Sequence, residues 1–117
     1  LSSVGIKAFD RIATHWGLTV AQAAGLADMS ESTWKRARKL DRPVELSQDQ
    51  ILRFSALVGI YKALNLYFDA ALADAWPTRP NTGPLFEGAR PVDVLLAGGL
   101  PQFLEVRRYL DALRGGM

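Results

Sequence analysis

The 117-residue chain contains no cysteine. That absence excludes a thiolate nucleophile, a disulfide framework, a cysteine-based zinc site and an iron–sulfur cluster, and it fits a reducing cytoplasm. Histidine occurs once, as His15, next to Trp16 at the end of an apolar stretch and with no acid beside it in sequence. It reads as a packing residue suited to a helix C-terminus, not as a general base. Asp10, Asp28 and Asp93 are scattered, and Asp69 and Asp74 are five apart, so no carboxylate pair or metal-ligand spacing stands out. Gly98-Gly99 and Gly115-Gly116 lack the frame of a phosphate-binding loop and read as helix stops. The expectation is a protein that is not an enzyme and needs no cofactor.

Long uncharged runs are also missing. The most apolar stretch, residues 51–76, is interrupted by Arg53, Lys62, Asp69 and Asp74, short of the ~18–20 apolar residues a bilayer span needs. No secretory signal is visible, because Lys7, Asp10 and Arg11 fall where its apolar core would sit. Leu1 stands in place of an initiating Met, which leaves an N-terminal extension open. A cytoplasmic protein with no membrane partner is expected. A chain of this length buries about two-thirds of its unfolded surface, enough for a core without disulfides or metals.

The hydrophobic pattern is helical throughout, and an all-α fold is predicted. Val4, Ile6, Ala8, Phe9, Ile12, Ala13 and Trp16 recur mostly at spacings of three and four, ending before Gly17. Thr19 with Gln22 has the form of a capping box and opens a short helix to about residue 26. Ser30 caps the next, to about residue 40, with Trp34, Ala37 and Leu40 inward and Pro43 stopping continuation. Ser47 with Gln50 is a second capping box, before a long stretch with Ile51, Phe54, Val58, Tyr61, Leu64 or Asn65, Phe68 and Leu72 on one face. Leu57, Ile60, Leu66 and Tyr67 make that helix apolar on other faces too, so it is either central to the domain or part of an interface. Residues 77–84 read as a loop. Pro91 opens a helix to about residue 97, and a final helix over residues 100–114 turns Leu100, Phe103, Leu104, Val106, Leu110 and Leu113 inward, before the tail Gly115-Gly116-Met117.

The pair of short helices over residues 19–40 has the build of a helix-turn-helix. Ala23 and Ala24 permit close crossing, and the second helix opens with Ser30, Ser32 and Lys35, placed to reach base edges in a major groove. Arg36, Arg38 and Lys39 flank them for phosphates. The net charge is only +2, but five basic residues cluster at positions 35–42. The positive field is local and shallow, so one copy binds DNA weakly and a dimer places two such patches on one duplex.

Trp76, Pro80-Asn81, Leu85-Phe86, Gly88, the run Arg90-Pro91-Val92-Asp93-Val94-Leu95-Leu96 and the terminal amphipathic helix resemble the toxin-binding domain of the Xre, MbcA and ParS antitoxins, and Ser30-x-Ser32-Thr33-Trp34 resembles the Xre-type helix-turn-helix. The resemblance covers nearly the whole chain. Two departures stand out: Ala97-Gly98-Gly99-Leu100-Pro101, where the family commonly has an acidic residue, and Ala37, where an aromatic residue often sits. It implies an antitoxin that neutralises a toxin carrying a RES domain, which consumes NAD or transfers ADP-ribose from it, and that represses its own operon. Residues 1–46 would then form the DNA-binding and dimerising part and residues 47–117 the toxin-binding part. Asn81, Gly88, Pro91 and Leu95 are read as structural, because Gly88 and Pro91 set a turn and then a helix start. On the exposed side of the final helix, Arg107, Arg108, Tyr109 and Arg114 sit near the tail Gly115, Gly116 and Met117. With the resemblance these residues are toxin contacts, entering a cleft built for an anionic dinucleotide. Without it they are a solvated face on which Asp111 pairs with Arg107 and Arg114. The alternative function is a stand-alone regulator whose second half only dimerises or senses a ligand.

Overall fold

The computed structural model describes residues 2–39 and 44–114. Among them there are seven α-helices, one 3-10 turn and no strand, as the periodicity predicts. They are α1 Ser2–His15, α2 Val20–Leu26, α3 Glu31–Lys39, α4 Gln48–Tyr67, α5 Ala70–Ala75, the 3-10 turn Trp76–Thr78, α6 Pro91–Gly98 and α7 Leu100–Arg114. Leu40 and Pro43, assigned to the end of the third helix, lie outside the described residues.

Local chemistry sets the starts and stops. The Thr19 hydroxyl accepts the Gln22 N–H at 3.0 Å while the Gln22 side chain accepts the Thr19 N–H at 2.9 Å. Ser47 and Gln50 repeat the exchange at 3.1 and 2.9 Å, so both capping boxes are formed. Pro91 takes the first position of α6 after an extended Arg90. At the far end of α2, Asp28 adopts φ 57°. The Asp28 N–H donates to the Gly25 carbonyl at 3.1 Å and the Met29 N–H to that of Ala24 at 2.9 Å, the two bonds of a Schellman stop that turns the chain into α3.

The core is organised around α4. On one side its Phe54 stacks on Phe9 of α1, with centroids 4.6 Å apart, and Phe9 meets Trp34 of α3 edge-on at 5.2 Å. Its other side packs against α7, with Leu57, Ile60 and Leu64 buried together with Phe103, Val106 and Leu110. The two helices run in the same direction: the Arg53 guanidinium lies 5.6 Å from the Phe103 ring, and Arg107 crosses Gly59, where a Cβ would stand 2.5 Å from the arginine Nε. α6 closes back onto the first half, so tightly that a Cβ at Gly25 would sit 2.7 Å from Leu96. Gln50 adds a polar tie, its Nε2 donating to the carbonyls of Ala27 at 3.1 Å and Asp28 at 3.0 Å.

Three expectations are corrected. The long helix does not reach Leu72: it ends at Tyr67, Phe68 is extended, and the Asp69 carboxylate accepts the Leu72 N–H at 3.0 Å to start α5. An aspartate before an alanine-rich segment is a good N-cap, and here it wins over continuation. The inward face of α4 is also displaced, since Ile51 and Leu72 are exposed while Leu57 and Ile60, assigned to other faces, are fully buried. A helix apolar all round has no single stripe, so its neighbours decide which side is covered. Val4 and Leu104, placed inward by spacing, are exposed as well.

Gln50 serves both its own cap and the turn between α2 and α3. We therefore expect Gln50→Ala to lower unfolding free energy by about 1–3 kcal/mol in a denaturant titration, more than an isolated cap usually contributes.

Candidate functional site

The first candidate surface is the outer side of α3. Ser30 is its cap: the Ser30 hydroxyl accepts the Thr33 N–H at 3.1 Å and lies 2.8 Å from the Thr33 hydroxyl and 3.4 Å from that of Ser32. Ser32, Lys35, Arg36, Arg38 and Lys39 are all exposed, so the structure brings the six predicted DNA contacts onto one short helix and its cap. They are not equivalent. The Arg38 Nε pairs with Asp10 of α1 at 3.2 Å, and its guanidinium lies 6.0 Å from the Trp34 ring, so Arg38 fastens α3 to α1. Arg36 reaches back to the Thr33 hydroxyl at 3.3 Å. Among the described residues Lys35 and Lys39 have no ion-pair partner, and they offer the least encumbered charges to a phosphate.

The second candidate surface is built by the segment between the 3-10 turn and α6, together with α7. Asn81 closes this loop on itself: its N–H donates to the Ala89 carbonyl at 3.0 Å, its carbonyl accepts the Gly88 N–H at 2.7 Å, and its side-chain oxygen accepts the Gly83 N–H at 2.7 Å. Gly88 takes φ +93°, a region L side chains rarely enter, and Glu87 before it takes φ 50°. Leu95 is buried, as is Pro91. These four residues therefore shape the loop and the start of α6. Beside Pro91, Arg90 grips Asp93 through two bonds, at 2.8 and 3.2 Å, and this pairing raises the arginine's pKa.

On α7, Arg108 is exposed and paired with Glu105, while Arg107 is half-buried over Gly59 with its Nε 3.9 Å from the Asp111 carboxylate. Tyr109 departs from its expected place on the exposed side. It is half-buried one residue before Leu110, its ring edge-on to Phe86 at 5.7 Å, and Phe86 meets Trp76 in the same manner at 5.4 Å. The tyrosine hydroxyl lies 2.9 Å from where a Cβ at Gly83 would stand, so this aromatic row holds the loop against α7. Arg114 closes the helix, and Gly115, Gly116 and Met117 lie outside the described residues.

Asp69 caps α5, and Asp74 lies 3.8 Å from His15 Nδ1. No group of three or more His, Cys, Asp or Glu among the described residues could hold a metal ion. None of the described helices is long and apolar enough to cross a membrane.

Among the described residues the fold is all-helical, of the class in which a helix-turn-helix at one end is joined to a loop-braced helical unit at the other. Residues 1–59 match the antitoxin Xre-like helix-turn-helix domain and residues 63–116 the antitoxin Xre/MbcA/ParS C-terminal toxin-binding domain. The chain belongs to this antitoxin family, whose domains are generally non-enzymatic and whose second domain implies a toxin as partner. It is 38% identical over 116 residues to the uncharacterized protein y4oB of Sinorhizobium fredii (strain NBRC 101917 / NGR234), an alignment covering 95% of this chain and 84% of that one. No solved structure matches it.

A Cβ at Gly88 would meet nothing within 4 Å, so its requirement for glycine is purely conformational. Gly88→Ala should cost about 1–2 kcal/mol, read as a lowered midpoint of chemical unfolding.

Proposed function

We propose that this antitoxin neutralises a cognate RES-domain toxin, one that consumes NAD or transfers ADP-ribose from it, by covering the toxin's active site. We further propose that it represses its own operon through the helix-turn-helix and works in the cytoplasm. The observation that carries this reading is the succession of the two family matches along one chain. Residues 1–46 bind operator DNA and pair copies of the chain, and residues 47–117 bind the toxin. Ser30 and Ser32 face the bases, Lys35, Arg36 and Lys39 hold the phosphates, and Arg38, paired with Asp10, holds α3 in place on α1. Arg107, Arg108, Tyr109 and Arg114 lead toward Gly115, Gly116 and Met117, which enter the toxin's cleft. Arg107 and Arg108 would there exchange their carboxylate partners Asp111 and Glu105 for groups of the toxin.

Self-association is part of this proposal. A single α3 carries too few charges for tight binding, and two on one duplex multiply the contacts. An apolar groove of about 400 Å³ between α1 and α4, bordered by the exposed Val4 and Ile51, offers a surface for pairing, so the pairing surface extends past residue 46 onto the start of α4.

Expression of the adjacent gene together with this chain is the first test. Toxicity that this chain relieves is the expected result, and a harmless neighbour, or one that stays toxic, contradicts the reading. The triple variant Lys35→Ala, Arg36→Ala, Lys39→Ala, which spares the structural Arg38, should lose operator binding and reduce its salt slope by about 0.9 for each phosphate contact removed. It should neutralise the toxin as the parent does.

A further inference from the structure

In a helix-turn-helix the first helix ordinarily crosses the DNA backbone while the second reads the bases. Here α2, the first of the pair, carries no charged side chain. Its polar groups Thr19 and Gln22 are spent on the capping box. Within residues 2–39 the lysines and arginines outside α3 are Lys7 and Arg11 alone, and both lie on α1. Cationic side chains for phosphates beside α3 can therefore come, in this part of the chain, only from α1.

Lys7 and Arg11 stand four residues apart, about 6 Å along the helix axis, so they share one line of α1. Both are exposed, and neither has an ion-pair partner among the described residues. His15, the next position on that line, is engaged elsewhere, its Nδ1 3.8 Å from Asp74 and its ring edge-on to Tyr61 at 5.8 Å. Between the line and α3 lies Asp10, whose carboxylate alone would repel a phosphate. The Arg38 Nε, 3.2 Å away, offsets that charge. Lys7, Asp10, Arg11, Thr14, His15 and Arg38 line one recess of about 330 Å³, so the α1 cations and the C-terminal end of α3 border the same surface. Lys35, three residues before Arg38, continues the positive surface along α3.

We infer that the Lys7–Arg11 line of α1 is a second phosphate-binding element, taking the part that the uncharged α2 leaves open. The inference rests on the operator-binding reading above. The partner is the DNA backbone beside the groove that α3 enters, held through its charge and not its sequence. Charge complementarity selects DNA over the toxin, because the line is joined through Arg38 to the cationic face of α3, whereas the toxin-binding match begins only at residue 63. Lys7 and Arg11 add affinity and register, and the choice of bases stays with α3.

The test uses the full chain and a duplex spanning the region upstream of its own gene, with a scrambled duplex of the same length and composition for comparison. Affinity is followed by fluorescence anisotropy over a series of salt concentrations, and folding by thermal midpoint. Lys7→Ala with Arg11→Ala should weaken binding to both duplexes by the same factor and reduce the salt slope by about 0.9 for each of the two contacts in every bound chain. The thermal midpoint should stay at the parental value. An unchanged salt slope in the folded variant overturns the inference. So does a lost preference for the upstream duplex, which would make these residues readers of bases. Loss of toxin neutralisation with DNA binding intact overturns it too, by assigning the line to the toxin. Should the double variant fail to fold, acetylation of the parental chain decides. The bound upstream duplex should shield Lys7 from the reagent together with Lys35 and Lys39, and a Lys7 modified as fast as in the free protein refutes the contact. A parental chain that binds neither duplex removes the operator-binding reading itself, and the α1 contact with it.

Discussion

A helix covered on two sides cannot shift without disturbing both neighbours, and α4 is held in this way. Phe54 stacks on Phe9 toward the helix-turn-helix, while Leu57, Ile60 and Leu64 are sealed with α7. The contact to α7 is close because Gly59 has no Cβ, which leaves the Arg107 side chain room to cross. The same helix begins beneath the α2–α3 turn, where Gln50 donates to two carbonyls that the turn leaves exposed to it. The α2–α3 turn and the toxin-binding half are thus fixed to one rod, and the two family matches meet within that rod, at residues 59 and 63.

This arrangement gives the antitoxin a rigid body with its polar work at the edges. Arg38 is committed to Asp10 and Trp34, which holds α3 on α1, while Lys35 and Lys39 stay exposed with no ion-pair partner among the described residues. At the other end, Asn81 ties its loop closed through three hydrogen bonds, and the row Trp76, Phe86 and Tyr109 lays that loop against α7. Tyr109 acts through this packing, whereas Arg108 on the same helix is exposed and Arg107 half-buried. Those arginines are exposed enough that their pairs with Glu105 and Asp111 are weak and exchangeable.

Much of this was legible beforehand because it depends on neighbours in sequence. Thr19 with Gln22 and Ser47 with Gln50 reach only three residues ahead, so their capping boxes are written into the chain. Gly88 and Pro91 likewise announce a turn and a helix start through the backbone angles they allow. Leu72 and Tyr109 were misplaced for the opposite reason. The Asp69 cap competes with a helix that would otherwise continue, and the outcome depends on which apolar faces find cover. Tyr109 finds its place only once Phe86, twenty-three residues upstream, is folded against it.

By itself the chain determined its helical class, the starts of its helices, the absence of thiol chemistry and the motifs that mark an antitoxin, since each follows from residue type and short-range spacing. Tertiary structure alone decided which face of α4 is buried, where that helix stops, that Gln50 clamps a distant turn, and that Leu66, Tyr67 and Leu72 stay outside. The physical reason is that an apolar surface is buried by whatever packs on it, and for a helix apolar on every side the partner, not the pattern, makes the choice.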